Sequence, residues 1–172
     1  MRGFVASAIV LVALGACVSP VGPKFEMPIA AIDGSKARLV LYHSESQMYR
    51  HQSIVRIDDK DVCRVAGKEV MVLDIAPGER KIGVHTPKTP GVSVLTVNAE
   101  AGKTIYISAA PNAKRIGLSM LIGPLALIAS DKTTARGGHL FIEEVPAEQA
   151  ATETEGFVRC DCQPVEPAKN PT

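Results

Sequence analysis

The stretch Glu69 to Thr86, EVMVLDIAPGERKIGVHT, decides the fold. Its two halves, EVMVLDI (Glu69 to Ile75) and RKIGVHT (Arg80 to Thr86), are short runs in which apolar and β-branched residues recur, which is typical of β-strands. Ala76-Pro77-Gly78-Glu79 separates them, with proline at the second position and glycine at the third, as a type II turn requires. We therefore predict two strands joined by a tight turn.

Similar short runs, separated by turn residues, extend in both directions from this stretch. Further strands are predicted at 37–43, 53–57, 62–65, 92–98, 104–108 and 139–145. Pro146 followed by Ala147 to Ala151 predicts one or two helical turns. Short strands with a turn every eight to twelve residues are typical of a sandwich or small barrel. The predicted fold is therefore all-β, a small antiparallel β-sandwich with a short C-terminal helix.

Two stretches of this series of strands, LDIAPGE (Leu73 to Glu79) and VNAEAGKTIYIS (Val97 to Ser108), resemble sequences of a known protein family. Over about residues 36–150 the chain resembles a family of bacterial envelope lipoproteins of uncharacterised function. That family has a prealbumin-like or carboxypeptidase-regulatory-like β-sandwich. The resemblance implies the sandwich fold and brings no catalytic residues with it, since its glycines and prolines specify turns.

The first sixteen residues, MRGFVASAIVLVALGA, have the layout of a secretory signal, with Arg2 before a short apolar run. Leu14-Gly15-Ala16-Cys17 resembles the bacterial lipobox, which implies that Cys17 receives a diacylglycerol and becomes the N-terminus after cleavage. Val18 is not the aspartate associated with inner-membrane retention. The resemblance therefore implies a lipid-anchored protein of the outer membrane that faces the periplasm.

The whole chain is expected to divide into four parts. Residues 1–16 are the signal peptide, and residues 17–35 are a lipidated, proline-rich tether that could extend over roughly 55 Å. Residues 36–151 form the β-sandwich domain, and residues 152–172, rich in Glu, Thr and Pro, are expected to be a disordered tail.

An uncharged apolar insert, IGLSMLIGPLALIAS, occupies residues 116–130 of the domain. Gly123-Pro124 at its midpoint would break a helix. One interpretation is a pair of buried strands or a short helix that covers the sandwich. The other is a contact surface for a partner or the membrane, formed by Leu121, Ile122 and Leu125.

Three cysteines besides Cys17 remain after export: Cys63, Cys160 and Cys162. An exported protein meets an oxidising environment, so a disulfide from Cys63 to either Cys160 or Cys162 is expected, with one thiol left over. Two neighbouring thiolates are too few for a closed zinc site. A fourfold set would need Cys63 and one of the four histidines, none of which has informative spacing: His43, His51, His85 and His139. No metal or other cofactor is predicted.

Composition and motifs favour some classes of function over others. Without Arg2 the chain has 18 basic and 18 acidic residues, so no electrostatic feature favours nucleic acid. No nucleophile elbow and no phosphate-binding glycine loop occurs in the sequence, and a hydrolase would need a nucleophile beside one of the histidines. We predict a non-enzymatic structural or accessory binding module that contacts another envelope protein. The alternative is a periplasmic carrier of a small ligand or metal, using the sandwich interior or the Cys160/Cys162 pair.

Overall fold

Two β-sheets and a short helix make up the described part of the chain. The computed structural model describes residues 22–27, 29, 31–44, 52–87, 89–111 and 138–162. The strands are β1 (Ala37–His43), β2 (Ser53–Ile57), β3 (Lys60–Val65), β4 (Glu69–Ile75), β5 (Gly78–His85), β6 (Ser93–Ala99), β7 (Thr104–Pro111), β8 (Leu140–Val145) and β9 (Val158–Arg159). The helix, α1, spans Ala147–Glu153. No helix among the described residues has the length and apolar character needed to cross a membrane.

The two sheets pack face to face, which confirms the all-β sandwich. One sheet has five strands in the order β8-β7-β1-β4-β9, and the other has four in the order β3-β2-β5-β6. The four-stranded sheet is antiparallel throughout. The five-stranded sheet is mixed, because β1 runs parallel to β7 and β4 runs parallel to β9. The prediction of an antiparallel sandwich is therefore incomplete for this sheet.

The turn Ala76-Pro77-Gly78-Glu79 forms where the sequence predicts it, but its role differs. Gly78 has a positive φ of 111°, a conformation that glycine adopts without strain. Yet β4 pairs with β1 and β9, whereas β5 pairs with β2 and β6. The turn thus passes the chain from one sheet to the other and does not close a hairpin. A two-residue hairpin joins β2 to β3 instead, with positive φ at Asp58 and Asp59.

The core lies between the sheets and is made of the inward side chains of alternate strand positions. Leu39 and Leu41 of β1, Met71 of β4, and Ile82 of β5 are fully buried there. Each of these side chains is large and apolar, so removing it from water supplies the main force that holds the sheets together.

A second apolar cluster covers the outer face of the five-stranded sheet, so this sheet is buried on both faces. It contains Val40, Tyr42, Val70, Val72 and Val145 from the sheet, and Phe25, Ala150 and Phe157 from segments outside it. All seven residues of β1 are buried. The near-continuous apolar run of β1 is typical of a strand covered on both sides.

The segments that cover this face correct two expectations. Within the expected tether, Phe25 is 8% exposed and its N–H donates to the carbonyl of Phe157 at 2.9 Å. Within the expected tail, α1 continues to Glu153, β9 spans Val158–Arg159, and Cys162 is held in a disulfide. Both segments pack because their apolar side chains fill the second cluster, which a count of prolines and acidic residues does not reveal. The apolar insert, with Leu121, Ile122 and Leu125, lies outside the described residues, as does Cys17.

Candidate functional site: the three-cysteine cluster

Cys63, Cys160 and Cys162 come together where the C-terminal segment meets both sheets. Cys63 lies on β3 with its side chain fully buried in the core between the sheets. Cys160 follows β9 directly, and its N–H donates to the carbonyl of Val70 at 2.9 Å. The sulfur atoms of the three residues all lie within 4.8 Å of one another.

A disulfide joins Cys63 to Cys162, with their Cα atoms 4.7 Å apart. The sequence leaves open whether Cys160 or Cys162 pairs with Cys63, and the structure selects Cys162. Because Cys162 lies three residues after β9, this bond ties the segment that follows the five-stranded sheet to β3 of the four-stranded sheet. It closes a long loop, with a sequence separation of 99 residues, and such loops receive the largest stabilisation in the chain-entropy account, near 5 kcal/mol.

Cys160 remains a thiol and is partly exposed. Its Sγ lies 3.6 Å from the Sγ of Cys63 and donates to the carbonyl oxygen of Arg64 at 3.0 Å. Burial raises the pKa of the Cys160 thiol to about 12, and the carboxylates of Glu69 and Asp161 add to the shift because they repel a thiolate. The thiol is therefore almost wholly protonated at neutral pH.

The oxidation state of the cluster decides what it is able to bind. As a disulfide, Cys63 and Cys162 offer no thiolate to a metal. After reduction, three sulfurs within 4.8 Å would suit a soft, thiophilic ion. Among the described residues, these cysteines are the group of three or more ligand side chains close enough to share a metal. Of the histidines weighed as a fourth ligand, the three that the structure describes, His43, His85 and His139, are not part of this group.

The described histidines lie at one end of the sandwich, where β1 and β5 end and β8 begins. Burial lowers the pKa of His43 to about 4, and hydrogen bonds to the backbone of Val65 and Ala109 oppose this shift. Burial also lowers the pKa of His85, although Asp61 opposes the shift from 3.8 Å away. His139 directly precedes β8 and is partly buried, and His51 lies outside the described residues.

The carboxylates of the Asp58-to-Asp61 turn take part in ion pairs of the fold. Asp58 accepts from the Arg80 guanidinium at 2.8 Å and from the N–H of Lys81 at 3.1 Å. Asp61 accepts from Arg56 at 2.8 Å. The bonds of Asp58 fasten the β2–β3 hairpin to β5, and the bond of Asp61 joins β3 to β2 within the hairpin.

Two features bear on the ligand-carrier interpretation. The space between the sheets is filled by the buried side chains of the core. A groove of about 430 Å³ lies instead on the outside, between Lys24–Met27 and the segment that runs from Ala151 to Gly156. This groove opens to solvent beside the docked N-terminal segment.

Sequence reasoning identified the three cysteines but not their neighbours. Glu69 and the Arg64 carbonyl act on Cys160 from β4 and β3, and nothing in their sequence positions links them to residue 160. The docking of Phe25, in contrast, has a sequence signal. Phe25, Met27 and Ile29 alternate with other residues, which is the pattern of an extended segment with one apolar face.

A scan against protein-family models and a search of curated proteins both find no match to this chain.

Proposed function

We propose that this protein is a lipid-anchored envelope lipoprotein whose β-sandwich acts as a non-enzymatic structural or accessory binding module at the membrane surface. Cys17 carries the lipid, and the domain faces the periplasm from an outer membrane. Its partner is another protein of the envelope. The proposal begins from the signal peptide and lipobox at residues 1–17.

The observation that carries the proposal is the docking of the N-terminal segment on the domain. Lys24 forms a bridge with Val158, and the N–H of Arg159 donates to the carbonyl of Pro23 at 2.7 Å. Gly22, five residues after Cys17 in the sequence, already lies against Val158 and Arg159. A chain of five residues spans at most about 18 Å, so a lipid on Cys17 would hold the sandwich beside the bilayer.

The disulfide supports an extracytoplasmic location. Cys63 and Cys162 form a disulfide, a bond that is rare in cytosolic proteins, where thiols are kept reduced. The lipobox and the disulfide are independent features, and both favour export.

A binding role fits the chemistry of the described residues better than catalysis. The core is filled with apolar side chains, His43 is buried within the sandwich, and His85 faces Asp61. The exposed grooves at the docked N-terminal segment are lined by charged and apolar side chains, among them Lys24, Glu26 and Met27. A surface of this kind offers contacts to another protein.

The anchor is tested by the mass of the native product. The full chain is expressed in a bacterial host, purified from membranes in detergent, and analysed by intact-mass spectrometry. We expect a chain that begins at Cys17 and carries acyl groups. Cys17→Ala should lose the acyl mass and the membrane association, whereas Cys160→Ala, the matched control, should keep both. An unacylated amino end or a retained leader in the wild-type product would refute the anchor.

The partner is tested by cross-linking in intact cells, followed by purification under denaturing conditions. We expect one defined cross-linked species that is lost with Cys17→Ala, because the variant no longer reaches the membrane surface. Recovery of the protein alone at every cross-linker concentration would contradict the accessory role while leaving the anchor intact.

One observation favours a second candidate, a metal carrier. The three sulfurs are close enough to bind one soft ion if the disulfide is reduced. Metal analysis of protein purified without oxygen tests this. One equivalent of copper or zinc that Cys160→Ser removes would support the carrier, and a metal-free reduced protein would reject it.

A further inference from the structure

The three-cysteine cluster places a free thiol against an existing disulfide. The Sγ of Cys160 lies 3.6 Å from the Sγ of Cys63, which is bonded to Cys162. A thiolate that attacks a disulfide sulfur forms a new bond with it and expels the other sulfur. The neighbouring thiol and the bond it would attack are therefore already in contact.

We propose that the cluster is an internal thiol–disulfide exchange site that makes Cys162 the residue modified by an external disulfide. The thiolate of Cys160 attacks the Sγ of Cys63, and the Cys63–Cys162 bond breaks. Cys162 leaves as a thiolate with the electron pair of the broken bond, and the proton lost by Cys160 passes to solvent. One disulfide and one thiol are present before and after, so this step needs no oxidant.

The second step attaches the external group. The Cys162 thiolate attacks a small disulfide or a disulfide of a partner protein, forms a mixed disulfide with one sulfur, and releases the other sulfur as a thiolate. Electrons balance because one disulfide is exchanged for another. The class of reactant is thus any accessible disulfide of the extracytoplasmic space.

Backbone contacts explain why Cys162 becomes the reactive end. The N–H of Cys160 donates to the carbonyl of Val70, so Cys160 is fixed at the edge of the five-stranded sheet. Cys162 lies two residues further on and is tied to β3 through its disulfide. Once Cys63 has bonded to Cys160 instead, that tie is gone and Cys162 is free to turn towards solvent.

Three groups around Cys160 regulate the first step. Glu69 of β4 and Asp161 of the same segment repel the thiolate, and β3 presents the Arg64 carbonyl as acceptor for the thiol proton. Burial, with Glu69 and Asp161, raises the pKa of Cys160 to about 12, so the thiolate fraction is small at neutral pH. The rate should rise nearly tenfold per pH unit from pH 7 to pH 9, and Glu69→Gln should raise it at each pH.

The test is a mixed-disulfide reaction of the full chain, purified in detergent under air, with oxidised glutathione at pH 8. Trypsin cleavage after Arg159 places Cys160 and Cys162 in one peptide, and tandem mass spectrometry locates the adduct. We expect the adduct on Cys162 in the wild type and at least a tenfold lower yield in Cys160→Ser, in which no thiol attacks the disulfide. An adduct mainly on Cys160, an equal yield in Cys160→Ser, or no adduct at all would overturn the proposal.

A second variant tests the new pairing without any external reactant. In the double variant Cys17→Ala/Cys162→Ser, which removes the fourth cysteine from the count, air oxidation should join Cys63 to Cys160, so a thiol assay in denaturant finds no free thiol. Two free thiols in that variant would overturn the exchange geometry. These results do not depend on the lipid of Cys17, so failure here leaves the proposed anchor untouched.

Discussion

Replacement of Phe25 by alanine tests whether the N-terminal segment belongs to the fold. The Phe25 side chain is 8% exposed and packs in the outer cluster with residues of β1, β4 and α1. An aromatic side chain buries roughly 150–250 Å², which at about 25 cal/mol per Å² corresponds to about 4–6 kcal/mol. Measured losses for buried Phe→Ala lie near 3–5 kcal/mol. Since the segment crosses the edge of a sheet and is able to shift, we expect a loss of about 3 kcal/mol.

The assay is urea unfolding of a soluble form that lacks residues 1–17, followed by circular dichroism. In thermal unfolding, the same loss of about 3 kcal/mol would lower the Tm by roughly 6–12 °C for a domain of this size. Glu26→Ala is the matched control, because its side chain is exposed and its loss should change stability by less than about 0.5 kcal/mol. Trypsin cleavage after Lys24 should also become faster in Phe25→Ala alone.

Equal stability of Phe25→Ala and Glu26→Ala would refute the reasoning. The segment would then be a free linker, and the estimate of about 18 Å between Cys17 and the domain would no longer apply. The sandwich itself would be unaffected, because its core between the sheets does not include Phe25.

Three further predictions concern buried polar groups. The guanidinium of Arg38 lies 2.6 Å from the carboxylate of Asp74 and lowers the pKa of that carboxyl. The difference in unfolding free energy between wild type and Asp74→Asn should therefore be largest at pH 7 and shrink as the pH falls below about 4. The folded-state pKa of His43 is about 4, below the usual 6.5, so unfolding gains protons between these values. Urea titrations should therefore show stability decreasing as pH falls from 6.5 to 4, by at most about 3 kcal/mol, and a flatter profile for His43→Gln. Tyr42 donates to Glu153 at 2.8 Å, so Tyr42→Phe should cost about 1–3 kcal/mol and speed amide exchange in α1.

Each of these three predictions has an outcome that contradicts it. A gap for Asp74→Asn that is the same at pH 3 and pH 7 would show that the Arg38 contact contributes nothing through charge. Unchanged pH dependence in His43→Gln would assign the acid sensitivity to other groups, for example His85, whose pKa is also lowered by burial. Unaltered exchange in Tyr42→Phe would mean that packing of Ala150 alone holds the helix.

Local patterns predicted the strands well, because their signals lie within a few residues. Ala37–His43, Ser53–Ile57 and Glu69–Ile75 have the bounds that their apolar runs predict. The turn signals at Gly78 and Gly102 also appear as positive φ angles of 111° and 76°. Such features depend on the chain's own backbone preferences, so they can be read without knowing the partners of a strand.

The partners themselves were decided by the tertiary structure. A Pro-Gly turn specifies that the chain reverses, yet it does not specify whether the next strand joins the same sheet, and here β5 joins the other one. The choice of Cys162 over Cys160 depends on where β9 ends against β4, a contact between residues nearly ninety positions apart.

By itself, then, the sequence determined the all-β class, the bounds of β1, β2 and β4, the approximate positions of β3 and β5 to β8, and the presence of a cysteine set able to form one disulfide. Only the tertiary structure decided that the segments around Phe25 and Phe157 dock together on the outer face of the five-stranded sheet. The physical reason is that an apolar sheet face is buried by whichever distant segment packs on it best, and this depends on contacts between residues far apart in the sequence. A tether and a tail with a few apolar residues each are unremarkable alone, and become part of the fold because they complete one cluster between them.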